Sequence, residues 1–446
     1  MHHDEGQENH SVEKRPKHDP GTSLLGLMLQ SQTWVHRRVD ALRLDAEGTT
    51  RRHVSIDITA PSGFMISGSE DRFIIPIAIL EKGTKRKLDA THAGKSISVL
   101  GRQDNGSLAV EMLTTSLIHL LPLQEEDVKE AKAVISKVVF SRPKAEAESA
   151  LIEYLNWIAV RKDGAKSPKM LEVTNSMVQQ LAHNFLFLVE LDSDLLDTRT
   201  TVKYALNQEA PEVHKRGFKR VRFDYPVPDF GFAASQHLEV EVPEGLVVSR
   251  LELTETGPSE SDSKSDIDAN PNGHRLGHVA LSPSQRFFTG RAFVDVVPTT
   301  QGLFFFTKLA VACIVLLFIS AQLVRVFNGY ILGPKAEIPS PSASILLIGP
   351  ALLFSWMSRT QEHNLVVQIL SPLRRVLGRC ALALLGTAVL AAIPVTPLVW
   401  CLGWVIIGAF TISALWGLIR FAYGDRPSIT YGAAPASQDH SVGPQP

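Results

Sequence analysis

The chain has 446 residues, with 45 lysines and arginines against 46 aspartates and glutamates, for a net charge of −1. That balance gives no electrostatic footprint for nucleic acid, which is excluded as a partner. Its 3 cysteines, Cys313, Cys380 and Cys401, all fall in the apolar last third, where they build neither a disulfide framework nor a zinc site.

Residues 1–22 are polar and lack the basic start, apolar stretch and cleavage site of a secretory leader, so they are expected to be disordered and not exported. Alternation begins at Leu42 and Leu44 and resumes, after Glu47-Gly48, at Val54, Ile56 and Ile58, which predicts paired strands. Phe73 to Leu80 is a further strand whose Pro76 requires an edge or a bulge, and Ile97 to Leu100 adds a short one.

The spacing then turns helical. Val128, Ala131, Ile135 and Val138 share one face, Ala147, Leu151, Tyr154, Leu155 and Ile158 another, and Ser167-Pro168 opens a third helix with a capping residue followed by proline. Strands return at Phe185–Leu191 and Thr201–Leu206. Leu238, Val240 and Val242 alternate up to Pro243-Glu244-Gly245, and Val247 to Leu253 alternates after it, which predicts a hairpin. A Ser/Asp-rich stretch, 257–273, reads as a flexible linker, and 274–300 carries the last strands, with Ala292, Val294 and Val296 the clearest. The expected architecture of 23–256 is α+β: a sheet, a helical layer and a sandwich-like β module.

Four transmembrane helices are expected within 301–422, at about 303–326, 338–357, 377–394 and 398–420, each near the ~20 apolar residues that a span requires. The second is the shortest and contains Gly349-Pro350. Pro394 and Pro397 place a turn between the last two, and 423–446 reads as a disordered tail. Arg359, Arg374, Arg375 and Arg379 lie between spans two and three, whereas the neighbouring turns are nearly uncharged. Basic short loops stay inside, so both termini and the large N-terminal region are placed in the cytoplasm, with the chain in the cell inner membrane. The segment from Thr360 to Gly378 reads either as an interfacial helix drawn to anionic lipid headgroups or as a plain basic loop. Small residues recur at four-residue spacing, Ala383/Thr387/Ala391 and Ala409/Ser413/Gly417, which allows close helix packing. No acidic residue lies within a span, so the signature of an ion-coupled carrier is missing.

Several motifs fail on their surroundings. Gly94-Lys95-Ser96 lacks the first glycine of a phosphate loop, where Asp89 stands instead. Asp229-Phe230-Gly231 has no glycine-rich loop or catalytic loop upstream and reads as a turn. Asp268, Asn270 and Asn272 have calcium-loop spacing, but Val279 occupies the position of the bidentate ligand. The basic runs at Lys82–Lys87 and Lys215–Arg220 read as solvated turns. His237, in a strand, is the one histidine singled out. No motif calls for a cofactor or metal, and no catalytic residue is named.

Ile75-Pro76-Ile77, Lys82, Leu88-Asp89, Gly94-Lys95, Val99-Leu100 and Leu108-Ala109, with the run from Ser235 to Leu246 ahead of clustered spans, resemble a family of uncharacterised bacterial multi-pass membrane proteins with a soluble N-terminal region. The resemblance covers the chain from about residue 50 onward. It implies the membrane-plus-cytosolic layout and carries over no catalytic residue. The expected function is therefore a non-enzymatic membrane-anchored scaffold or sensor, whose cytoplasmic region binds an unknown protein partner or ligand. The alternative is an oligomeric permeation or lipid-handling membrane protein gated by its cytoplasmic region.

Overall fold

The computed structural model describes residues 19–44, 49–83, 86–142, 145–209, 213–216, 220–227, 229–256, 265–283, 289–328, 348–349, 364–392 and 396–423. Two compact units emerge, an α+β unit within Met1–His214 and Arg222–Val297 and a helical unit within Pro298–Glu362 and Val367–Pro446.

The α+β unit opens with α1 (Pro20–Leu29), where Asp19 Oδ1 accepts the Thr22 N–H at 3.1 Å and Pro20 occupies the first turn. This is a regular helix start, so residues 19–22 belong to a cap and first turn rather than to a disordered segment. A short turn, α2 (Ser31–Trp34), leads into β1 (Val35–Leu44), paired antiparallel with β2 (Thr49–Thr59). Next come β3 (Ile66–Ser67), β4 (Arg72–Glu81), β5 (Arg86–His92) and β6 (Lys95–Ser96). Ile97–Leu100, expected as a strand, is reduced to a single bridge between Val99 and Val189.

The helical layer is α3 (Arg102–Leu120), α4 (Glu125–Phe140), α5 (Ala145–Ala159) and α6 (Pro168–His183). After it follow β7 (Asn184–Asp192), β8 (Arg199–Glu209), β9 (Val213–Arg216), β10 (Arg220–Val227), β11 (Gln236–Glu241), β12 (Leu246–Thr256), β13 (Ser265–His274), β14 (Leu276–Leu281) and β15 (Thr289–Pro298). The strands form three sheets, in the orders β14-β11-β1-β2-β8-β5-β6, β13-β12-β15-β10-β9 and β3-β4-β7.

The small sheet lies at the centre of the main core. Ile75, Ile77 and Ile79 of β4 and Leu186 to Val189 of β7 pack with Val54, Ile56 and Val202 of the seven-stranded sheet and with Leu113, Leu117 and Val178 of the helices. Covered on both faces, β4 reads as an unbroken apolar run, the pattern of a strand without a solvent side. Pro76 is absorbed by a register shift between Pro76 and Ala78, the bulge that proline demands. Burying each of these Leu and Ile side chains contributes about 1.5–3 kcal/mol.

The predicted hairpin at 238–253 does not form. Gly245 makes the turn at φ +91°, but β11 joins the seven-stranded sheet, parallel to β1, while β12 joins the five-stranded sheet between β13 and β15. The two β portions therefore interlock, because the two edges of β11 are taken by β1 and β14 rather than by its sequence neighbour. The expected linker is also partly strand: residues 257–264 lie outside the described residues, but Ser265–His274 is β13, paired with β12. Its Pro271 is tolerated because β13 is an edge strand. Asp268, of the calcium-like pattern, accepts the His278 N–H at 3.2 Å, and Asp266 accepts the Ala280 N–H at 2.9 Å. These carboxylates occupy donors on β14, an edge of the larger sheet, which blocks strand addition there.

A buried ion lattice joins these parts. Arg38 and Asp40 of β1 and Arg52 of β2 meet Asp229, in the turn between β10 and β11, and all four are at most 3% exposed. Arg38 Nε binds Asp40 at 3.0 Å, Arg52 Nη2 reaches Asp40 at 2.7 Å and Asp229 at 3.3 Å, and Arg38 Nη2 closes the ring on Asp229. Two positive and two negative charges cancel. Arg38 also donates to Tyr204 Oη at 2.6 Å, and Gln236 Nε2 donates to Asp40 at 2.6 Å. Asp229 of the discarded kinase-like triplet is thus a structural anion at the end of β10.

In the helical unit, α7 (Leu303–Asn328), α8 (Asn364–Ala392) and α9 (Pro397–Tyr423) are described. Leu303–Leu323 and Leu398–Ala422 are long and apolar enough to cross a membrane. The expected second span lies outside the described residues except for Ile348 and Gly349. From Asn364 onward the segment expected as an interfacial helix or basic loop is part of α8, which runs through Pro372 and carries Arg374, Arg375 and Arg379 in its middle, while residues 360–363 lie outside the described residues. Val311 and Ile314 of α7, Cys380 and Ala383 of α8, and Trp404 and Ile407 of α9 form its core.

Burial pushes the Asp40 carboxyl up, but Arg38 and Arg52 outweigh it and hold it near 2, below its ordinary 3.8. A depressed carboxylate stabilises the fold above pH 3.8 and loses that contribution as pH falls toward 2. Near-ultraviolet circular dichroism is therefore expected to show the α+β unit losing tertiary structure between those values. Asp40→Asn, which leaves the arginines unbalanced, is expected to cost about 3–5 kcal/mol already at neutral pH; a wild-type-like stability would contradict the lattice.

Candidate functional site

A cavity of about 600 Å³ opens in the α+β unit between Lys82-Gly83 just after β4, Leu88 of β5, the 97–100 segment, the start of α3, the end of α4 and the junction of α6 with β7. Its volume is in the range of small-molecule sites. Leu88, Val99, Leu100, Ala109, Val139, Phe140, Leu181 and Leu186 make most of the wall; Lys82, Arg102, Arg142, Asn105, Ser141 and Asn184 supply the polar groups. Among the described residues the lining holds three cations and no carboxylate.

Lys82 follows directly on β4 and is half-buried. Its ammonium donates to the Val138 carbonyl at 2.9 Å, the Ala182 carbonyl at 2.9 Å and Ser141 Oγ at 3.2 Å, so all three N–H groups have acceptors. Val138 and Ala182 lie in the last turns of α4 and α6, where carbonyls lack helical partners and the helix dipole favours a cation. One lysine therefore ties the ends of two helices to the central sheet. Burial, and secondarily the Arg102 charge, lower its pKa to about 8 against the pull of Glu146. A solvated turn is the wrong description for this residue; the run from Lys82 to Lys87 hid it because hydropathy does not distinguish a lysine among carbonyls from one in water.

Arg102, in the first turn of α3, gives one N–H to the Phe140 carbonyl at 2.9 Å. Asn105, only 5% exposed, donates through Nδ2 to the Leu100 carbonyl at 2.8 Å, while its Oδ1 has no hydrogen-bond partner. Gly106 is required next to it, since a Cβ there would stand 2.3 Å from the Phe140 ring. Phe140 lies over α3 at that point and closes one side of the cavity.

The residues singled out by sequence lie elsewhere. His237 on β11 faces His278, with Nδ1 and Nε2 3.2 Å apart, and its Nε2 is 3.1 Å from Ser235 Oγ. Burial, then Arg37 and His278, lower its pKa against the pull of Glu239, and among the described residues no group of three or more potential metal ligands forms. Gly94 makes the tight turn between β5 and β6 at φ +79°, with no helix following to hold a phosphate.

Arg359 lies outside the described residues. Arg374, Arg375 and Arg379 are on α8, and Arg379 donates to the Ser413 carbonyl of α9 at 3.1 Å. Its guanidinium passes the helix at Gly417, where a Cβ would lie 3.0 Å from Nη1. Ala383 is buried in the helical core, Thr387 and Ser413 are half-buried, Ala409 is exposed, and Ala391 is in the last turn of α8. The hydroxyls of Thr387, Thr411 and Ser413 bond back to carbonyls of their own helices at 2.8, 2.9 and 3.2 Å. The contact face of α9 also uses Gly403 and Gly408, whose missing side chains admit Leu390 and Phe318.

No family model matches the chain, and no curated protein matches it in sequence.

Replacing Lys82 by methionine keeps the stem and removes three donors; the Ser141 hydroxyl still donates to the Val138 carbonyl at 2.7 Å, so the loss falls mainly on the Ala182 carbonyl and on the tie between the two helix ends. Lys82→Met is expected to destabilise the α+β unit by about 2–4 kcal/mol, read from denaturant unfolding, with earlier hydrogen exchange at the ends of α4 and α6. Lys82→Arg, which keeps the charge, is expected to lose less.

Proposed function

We propose that the chain is a non-enzymatic, membrane-anchored sensor or scaffold whose α+β unit binds a small molecule in the Lys82 cavity. The observation that carries this reading is the cavity itself: a concave, mostly apolar space with a few convergent polar groups, in a unit whose other buried charges are already paired. Catalysis has less support, because the cavity brings a lysine with all its protons engaged together with arginines and amides, and not an acid–base pair or an activated nucleophile.

Two helices able to cross a membrane support the anchor. In the fuller form of the proposal, four spans pass through the inner membrane and both termini face the cytoplasm, following the arginines around α8. The alternative of a permeation or lipid-handling bundle draws less support, since the Thr and Ser hydroxyls of α8 and α9 are taken up by their own helix backbones.

The test is native mass spectrometry of the full chain extracted from its own membrane, comparing wild type with Val99→Trp, which places an indole in the cavity at a half-exposed wall position. A small molecule retained by wild type and lost from the variant is expected. Equal retention by both, or a homo-oligomer carrying only bilayer lipid, would overturn the reading. Reporters fused after Pro446 and at Thr396 are expected on opposite sides of the membrane; the same side for both would remove the topology.

A further inference from the structure

The chemistry of the cavity wall narrows the ligand, and this step rests on the binding reading above. Three features must be met together. The wall is a continuous apolar surface of Leu88, Val99, Leu100, Val139 and Leu186, suited to an alkyl or similar body. The charged groups are all positive: Lys82 sets a field but has no free donor, whereas Arg102 has committed one N–H of its guanidinium to Phe140 and keeps the rest. Arg142 is exposed at the same cavity, and Glu146, which accepts the Arg142 backbone N–H at 3.1 Å, is outside the lining. Finally, Asn105 Oδ1 is a buried acceptor without a donor, and such an atom costs about 1–3 kcal/mol unless something satisfies it.

A neutral lipid would leave the arginines unused. A phosphate or other small anion would leave the apolar wall and Asn105 unused. A plain fatty acid would meet the wall and the arginines but not Asn105, because a carboxylate offers no proton.

We propose that the cavity binds an anionic amphiphile whose carboxylate is held by Arg102 and Arg142, whose apolar chain lies along Val99, Leu100 and Leu186, and whose hydroxyl or amide N–H, close to the carboxylate, donates to Asn105 Oδ1. A β-hydroxy fatty acid has this arrangement, with the hydroxyl two carbons from the carboxyl. The arginine fork sets selection for the acid over the alcohol, and Asn105 sets selection for the hydroxy acid over the plain acid. The two selections are separable by mutation.

The experiment is isothermal titration of the full chain in lipid nanodiscs with β-hydroxydecanoate, decanoate and decanol, with the Val99→Trp protein subtracted to remove partition into the bilayer. β-Hydroxydecanoate is expected to bind at least several-fold more tightly than decanoate and at least tenfold more tightly than decanol. Arg102→Gln with Arg142→Gln is expected to weaken both acids about tenfold and leave decanol unchanged. Asn105→Leu is expected to erase the difference between the acids while decanoate binding is retained, which also shows that the variant is folded.

Decanol binding as tightly as the acids would overturn the proposed ligand class while leaving the cavity a binding site. Equal binding of the two acids to wild type would overturn the role of Asn105 and with it the hydroxy-acid assignment. No cavity-dependent binding of any of the three would overturn the proposal, and the binding reading falls separately only if wild type also retains no molecule in native mass spectrometry.

Discussion

The ion lattice of Arg38, Asp40, Arg52 and Asp229 is the constraint around which the α+β unit is arranged. Four charges at most 3% exposed are tolerable only if every one is paired, because an ion left alone in the interior costs several kcal/mol. Satisfying them fixes the register of β1 on β2 and holds the turn after β10 against the seven-stranded sheet. That turn delivers Gln236, the first residue of β11, to Asp40. With β1 on one edge of β11 and β14 on the other, no edge remains for β12, which pairs in the other sheet. The lattice thus explains why a sequence that reads as a hairpin folds as a crossing between two sheets.

The cavity follows from the same layering. With the seven-stranded sheet covering one side of the small central sheet, the helices must cover the other, and α4 and α6 end over β4. Their last carbonyls face inward, where Lys82 satisfies them. The space between those helix ends, the first turn of α3 and the β4–β7 pair is left open because Gly106 lets Phe140 fold onto α3 instead of filling the gap. Asn105, one of the lining residues, keeps a buried acceptor without a donor. Lys82 has its donors engaged in holding the frame, whereas Arg102, Arg142 and Asn105 are the groups with capacity to spare.

Much of this was legible where burial and hydropathy agree. The paired strands at 42–58, the strand with Pro76, the helices on the Val128 and Ala147 faces, the Ser167-Pro168 start and the strand at Ala292 all have apolar residues at their inward positions. The class, α+β followed by apolar helices, followed from those. What was missed has one common cause, polar residues facing inward. β1 begins at Val35, but its inward Arg38 and Asp40 break the alternation. α3 went unread because its buried face includes Asn105, Gly106, Thr114 and Ser116. β10 looked like the end of a basic run, and β13 like a linker because Asp, Asn and Pro are poor strand formers unless an edge position tolerates them. Lys82 was visible as a residue but not as a site, since its significance lies in two carbonyls contributed from 56 and 100 residues away. The signal that would have found it is a lone lysine closing an otherwise buried apolar strand.

The dependence of the fold on the lattice is tested most directly by a double-mutant cycle on Arg38 and Asp229, with opening free energies taken from native-state hydrogen exchange of the β1 and β11 amides in the full chain. Arg38→Met or Asp229→Leu alone leaves one unbalanced buried charge and is expected to cost about 3–5 kcal/mol. The double variant leaves Arg52 and Asp40 as a neutral pair, and its cost is expected to fall short of the sum by about 2 kcal/mol or more. Additive losses, or single variants within about 0.5 kcal/mol of wild type, would contradict the account.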